Sequence, residues 1–183
     1  MARTLVWVGA GVSFVTLLAS GLSHVARPRS LAQDLAAHGL SLSTANRVRR
    51  LLPFTELALV GYLGLAIASA DSRTLGFALG GAGLLFSLVT AYASTRVRAR
   101  PGVPCGCGIL DAPLSRWVVI RGGVLATIAL VGSAATIGAA DPSPAGALDA
   151  VLLGLCAATI AVGVWLIPGA LYGLRVGSVS RAR

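Results

Sequence analysis

The chain has 183 residues, 56% of them hydrophobic and only 11% charged, and all strongly basic residues behind its net charge of +9 are arginines. About a quarter of an ordinary soluble domain is charged, so this composition excludes a soluble enzyme and indicates an all-α polytopic membrane protein. The arginines border apolar runs, where positive charge meets lipid head groups and sets topology; this placement argues against nucleic-acid binding and makes the lipid bilayer the first partner.

Crossing a hydrocarbon core of about 30 Å takes about 20 helical residues. Helices are the natural spanning form where no water satisfies the backbone. Five runs qualify, at residues 4–25, 51–70, 74–95, 117–140 and 148–174. The first ends in small residues, "LLAS", yet it is too long and too weakly basic at its start for a cleaved signal, and is read as a retained span.

Between the first two runs, "RPRSLAQDLAAHGL" places Leu31 and Leu35 four apart, with Ser30 as a candidate N-cap and Gly39 as a stop. A short helix on the membrane surface is expected, with Asp34 and His38 paired on its solvated side. The second run opens "LLPFTEL", which carries Glu56 about 8 Å below its arginine-rich end. The third holds Gly76 and Gly80 at a spacing that allows close helix contact inside one bundle. After it comes "RVRARPGVPCGCGILDAPLSR", the polar segment with Cys105 and Cys107. Arg121 is the fifth residue of the fourth run, and Cys156 lies within the fifth, where a buried thiol acts as a small hydrophobe. The resulting organisation is a four-helix membrane domain at 1–140, an additional transmembrane helix at 141–174 and an arginine-rich tail at 175–183.

Five crossings put Arg3 and Arg73 on one face. Arg27, Arg29, Arg47, Arg49, Arg50, Arg96, Arg98, Arg100, Arg116, Arg121, Arg175, Arg181 and Arg183 fall on the other. By the positive-inside rule the second face, with the Cys-Gly-Cys loop and the tail, is cytoplasmic and the N-terminus is outside the inner (plasma) membrane.

An ionisable residue within a span is costly and marks function by default. His24 near the end of the first run, Glu56, Arg121 and the two cysteines all fall at the same membrane depth. Cys105 and Cys107 close a disulfide only if the backbone bends sharply at Gly106. A strained disulfide of that kind exchanges readily, and the nearby arginines favour the thiolate. Two thiolates also suit Cu(I) or Zn(II), although His24 is the single further ligand within reach; an incidental pair in a surface turn is the remaining reading.

The stretches "GLSHVARPRSLAQDLAAHGL", "RLLPFTELALVGYL" and "PCGCGILDAPLSRWVVIRGG" resemble the MauE family of methylamine-utilisation membrane proteins, related to the DoxX-like proteins. The likeness covers residues of about 5 to 140 and leaves the fifth run outside. Pro53, Glu56, Cys105, Cys107 and Arg121 stand at family positions. His24 replaces the usual basic residue, Gly108-Ile109 the usual Phe-Gly, and Gly122 the usual Asn. The resemblance implies a redox-associated membrane protein that supports disulfide formation in the small subunit of methylamine dehydrogenase. That role suggests an outward thiol pair, whereas the arginine distribution faces the pair inward; orientation here follows the arginines.

The expected function is thiol-disulfide redox chemistry at Cys105 and Cys107 with a partner thiol protein. Glu56 and His24 relay protons and Arg121 stabilises a thiolate or pairs with Glu56. No cofactor is indicated by any motif, and no resident metal is assigned. The alternative is a non-enzymatic small transporter or metal-handling protein in which Glu56 and the thiols bind the cargo.

Overall fold

The computed structural model describes residues 2–99, 103, 105, 114–137 and 152–163. Among these the elements are helical: α1 (Ala2–Ala26), α2 (Pro28–Ala37), α3 (Leu42–Ser69), α4 (Ser72–Ala99), α5 (Arg116–Ile137) and α6 (Leu152–Gly163). Helices α1, α3, α4 and α5 are long and apolar enough to cross a membrane. They correspond to the first four runs. The fifth span is not established: α6 is about 18 Å long at 1.5 Å per residue, short of a bilayer core. The rest of that run and the 175–183 tail lie outside the described residues.

Helix α1 is the innermost span, with half of its most apolar window buried against 28% for α3 and α5. Its Val6, Ala10 and Leu17 form the core with Leu63 of α3, Leu79 and Ala82 of α4, and Ala129 of α5. Small residues set its approach to its neighbours. Gly9 faces Ile128, and a Cβ on Gly11 would stand 2.6 Å from the Ala157 Cβ of α6. Outward faces are apolar as well: Phe54 and Phe77 are each 74% exposed, the surface that lipid tails require.

The tightest pairing is between α4 and α5. Gly76 and Gly80 lie against Thr136 and Ser133, and the Ser133 hydroxyl donates to the Gly76 carbonyl at 2.8 Å. This glycine pair is therefore spent on internal packing. At the other end of the interface a Cβ on Gly122 would lie 2.2 Å from Thr90 Oγ1. Rotating Thr90 only exchanges its hydroxyl for a methyl, because the side chain is β-branched. Gly122→Val should push the helices apart and destabilise the bundle by about 1–3 kcal/mol, read as a lower unfolding midpoint in detergent.

Helix ends depart from the apolar runs. Helix α3 begins at Leu42, well before residue 51, because Ser41 caps it by accepting from the Thr44 N–H at 3.2 Å. Arg47, Arg49 and Arg50 are thus helical. The turn between α3 and α4 needs only Ala70, in the left-handed region at φ 51°, and Asp71. The Asp71 carboxylate accepts from the Thr74 hydroxyl and from the backbone N–H groups of Thr74 and Arg73. These bonds, that of the Thr74 hydroxyl foremost, hold its carboxyl below the usual range.

Three local expectations are corrected. Helix α2 starts at Pro28 with Arg27 as its N-cap, not at Ser30, since Pro at the first position presets the helical φ; Gly39, at φ 87°, does end it. His38 is not solvated decoration: it is 1% exposed, with Nδ1 3.1 Å from the Tyr92 hydroxyl. Leu31 and Leu35 of the same helix pack over Ala45 at the base of α3, with Tyr92 against them. Cys156, finally, is a free thiol on the exposed face of α6, because Ala157 and Ala161 take the inward positions.

Candidate functional site

Ser20 and His24 lie one turn apart on α1 and share a face. Between them, Gly21 allows α3 to come close: a Cβ there would stand 3.0 Å from Leu57 Cδ2 and 3.3 Å from Glu56 Cβ. On α3, Pro53 lacks the N–H that would bond to the Arg49 carbonyl, and Glu56 follows within one turn.

The result is a buried polar triad. The Ser20 hydroxyl donates to Glu56 Oε1 at 2.7 Å, and His24 Nδ1 lies 2.8 Å from Glu56 Oε2. Ser20, His24 and Glu56 are 8%, 5% and 5% exposed. Both carboxyl oxygens are therefore engaged.

A cavity of about 430 Å³ opens beside the triad. Its polar lining comes from Thr16, Ser20 and His24 of α1, Glu56 of α3, Thr90 of α4 and Arg121 of α5; the remaining wall is almost wholly aliphatic or aromatic. Cys105 lines it too. Its segment is pinned by the Leu114 N–H, which donates to the Val103 carbonyl at 2.6 Å. Cys105 is 7% exposed among Ala93, Leu114 and Val118, and it is a half-cystine.

Four of the five residues singled out from the sequence, His24, Glu56, Cys105 and Arg121, thus surround one space. Cys107 lies outside the described residues. The partner of Glu56 in this layer is His24, with Ser20 added. Among the described residues no set of three His, Cys, Asp or Glu side chains is assembled as metal ligands.

Sequence reasoning missed Ser20, Thr16 and Thr90. A signal for the first two existed: Ser13, Thr16, Ser20 and His24 recur at three- and four-residue spacing, one polar stripe on an otherwise apolar helix. All four are buried. Thr90 carried no such mark, because only the packing of α4 on α5 turns it inward.

No curated protein and no solved structure matches the chain. Residues 1–135 match the family described as methylamine utilisation protein MauE, and this multi-pass membrane bundle, whose four spans and buried polar layer fall almost wholly within the matched region, belongs to the MauE family.

Proposed function

We propose that the chain is an integral membrane thiol-disulfide oxidoreductase of the MauE type, in which Cys105 and Cys107 alternate between dithiol and disulfide with a partner thiol protein. The observation that carries this reading is the convergence of Cys105, His24, Glu56 and Arg121 on one buried cavity. Closing a disulfide releases two protons with two electrons. The His24–Glu56 pair is the proton acceptor within the layer, and the Arg121 guanidinium favours thiolate over thiol by its charge. Maturation of a partner's disulfides, as the methylamine-utilisation family name suggests, is the physiological use.

Orientation is part of the proposal. His24, Arg27, Arg47, Arg49, Arg50, Arg96 and Arg98 belong to the helix ends nearest the cysteine segment. Positive charge so concentrated favours the cytoplasmic side of the inner membrane, with the N-terminus outside.

Thiol trapping in intact cells tests both parts. With and without prior reduction, alkylation should reveal a Cys105–Cys107 pair that is partly oxidised and shifts with oxidant. A membrane-impermeant reagent should label it only after permeabilisation, in a Cys156→Ser background. A pair that stays reduced under oxidant sinks the redox reading, and labelling from outside overturns the orientation. Metal retained through purification and lost on Cys107→Ser would favour a metal-handling protein instead.

A further inference from the structure

The cavity beside the triad runs lengthwise through the bundle. Its lining extends from Thr16 to His24 on α1, from Val48 to Glu56 on α3 and from Leu85 to Ala93 on α4, about 12 Å along each helix at about 1.5 Å per residue. The wall is almost wholly apolar, and the Glu56 carboxyl is already engaged by Ser20 and His24. Leu88, also in the wall, is 61% exposed on the bundle surface, so the slot borders the lipid phase. A long apolar space of about 430 Å³ beside the bilayer suits a hydrocarbon chain lying parallel to the helices.

Charge at one end of the slot narrows the occupant. Arg49 follows Val48 and shares a helix face with Ala45 and Leu52, the residues that pack beneath α2. Arg96 stands one turn beyond Tyr92, its guanidinium carbon 5.4 Å from the centre of the Tyr92 ring. Val48, Leu52 and Tyr92 all line the slot. Both arginines are half-buried, whereas Arg47, Arg50 and Arg98 beside them are exposed. Neither Arg49 nor Arg96 has an ion-pair partner among the described residues. The acidic side chains described at this end are Asp34 and the engaged Glu56, so this level carries surplus positive charge. Guanidinium groups favour phosphate, and basic pockets between membrane helices take anionic lipid head groups.

We propose that the slot holds one acyl chain of an anionic glycerophospholipid, whose phosphate is bound at the level of Arg49 and Arg96. The chain enters sideways past Leu88 while the head group stays among the arginines. An occupied slot keeps water from Cys105 and from the Ser20–His24–Glu56 layer, which line the same space. The site is independent of the thiol-disulfide reading, and the result for one does not decide the other.

The test uses the purified full chain in dodecylmaltoside, with the unfolding midpoint as the readout. Dioleoylphosphatidylglycerol should raise the midpoint saturably. Dioleoylphosphatidylcholine, with the same chains, and glycerol 3-phosphate, with none, should each do far less. In Arg49→Gln/Arg96→Gln the phosphatidylglycerol concentration for half the effect should rise roughly tenfold, as the loss of a charged hydrogen bond predicts. Arg50→Gln/Arg98→Gln, which neutralises two exposed arginines at the same helix ends, should leave it nearly unchanged. Phosphatidylglycerol with a diazirine on its acyl chain should label the α4 peptide that contains Val89, in competition with unlabelled phosphatidylglycerol but not with phosphatidylcholine.

Equal stabilisation by phosphatidylcholine overturns the anionic site and leaves a slot for any alkyl chain. Equal stabilisation by glycerol 3-phosphate overturns the bound chain. Labelling confined to the outward faces around Phe54 and Phe77 overturns the slot as its place, and an Arg49→Gln/Arg96→Gln protein that responds like the parent overturns the assigned phosphate contacts. Should that variant fail to fold, the comparison of lipids on the unaltered chain decides by itself.

Discussion

Replacing Glu56 by Leu is expected to destabilise the bundle by about 3–5 kcal/mol, the usual cost of removing one partner from a buried pair. The substitution leaves the His24 ring nitrogen and the Ser20 hydroxyl in a dry layer with neither carboxyl oxygen to bond. His24→Leu should be comparably costly, since it leaves the buried Glu56 carboxyl with Ser20 as its remaining hydrogen-bond partner among the described residues. The double variant His24→Leu/Glu56→Leu should recover to within about 1–2 kcal/mol of the parent, because an apolar pair of similar volume often serves a core as well as a buried ionic one. Reversible unfolding in mixed micelles measures all three. Recovery of stability without recovery of thiol cycling would show that the pair is kept for chemistry. Additive losses in the double variant would contradict the pairing.

The second large effect is kinetic. Glu56→Gln keeps the shape of the side chain and an oxygen to accept from Ser20, so the fold should hold. It cannot accept a proton. General-base assistance is worth about 10²–10⁴ in rate, and oxidation of the dithiol should slow by about that factor in quenched-flow alkylation. The limb of the pH–rate profile that rises with deprotonation of the carboxyl–imidazole pair should flatten as well. A purely structural glutamate would leave both rate and profile in place once folding is intact. Raising the pH should rescue the slow variant in part, since hydroxide supplies thiolate without the relay.

The order of these effects follows from the geometry of α1. Ser13, Thr16, Ser20 and His24 line one buried face, and the stripe is satisfied at one end only. Ser20 and His24 are held by Glu56, whereas the hydroxyls of Ser13 and Thr16 have no partner among the described residues. A membrane helix carrying that many buried polar groups is less stable than an aliphatic one. Stability has been surrendered along the face that borders the cavity.

Much of this was legible in the residue order, for a simple reason. A bilayer is a solvent of fixed thickness that rejects charge, so run lengths alone locate α1, α3, α4 and α5, and Glu56 stands out as the acidic residue inside a span. Depth is also one-dimensional: counting residues from a helix end suffices to put His24, Glu56, Arg121 and Cys105 in one layer. Helix boundaries were less legible. The apolar run stops at Arg50, but the hydrogen-bonded backbone continues to the cap at Ser41, because arginine is a good helix former whatever the solvent.

The azimuth of each side chain was decided elsewhere. Hydrophobic periodicity normally tells an inward face from an outward one, and in a bilayer both faces are apolar, so the signal vanishes. Cys156 was therefore misassigned to the interior and Thr90 went unnoticed. What turns each helix is steric: Gly21 brings α1 onto Glu56, Gly122 brings α5 onto Thr90, and Gly11 seats Ala157. His38 shows the same for a surface helix, since the position of Tyr92 on α4 helps to draw it inward. Sequence alone determined which residues share a depth, because the membrane imposes that coordinate on any chain. Tertiary structure decided which of them meet, because contact across helices depends on close approach at positions without a side chain.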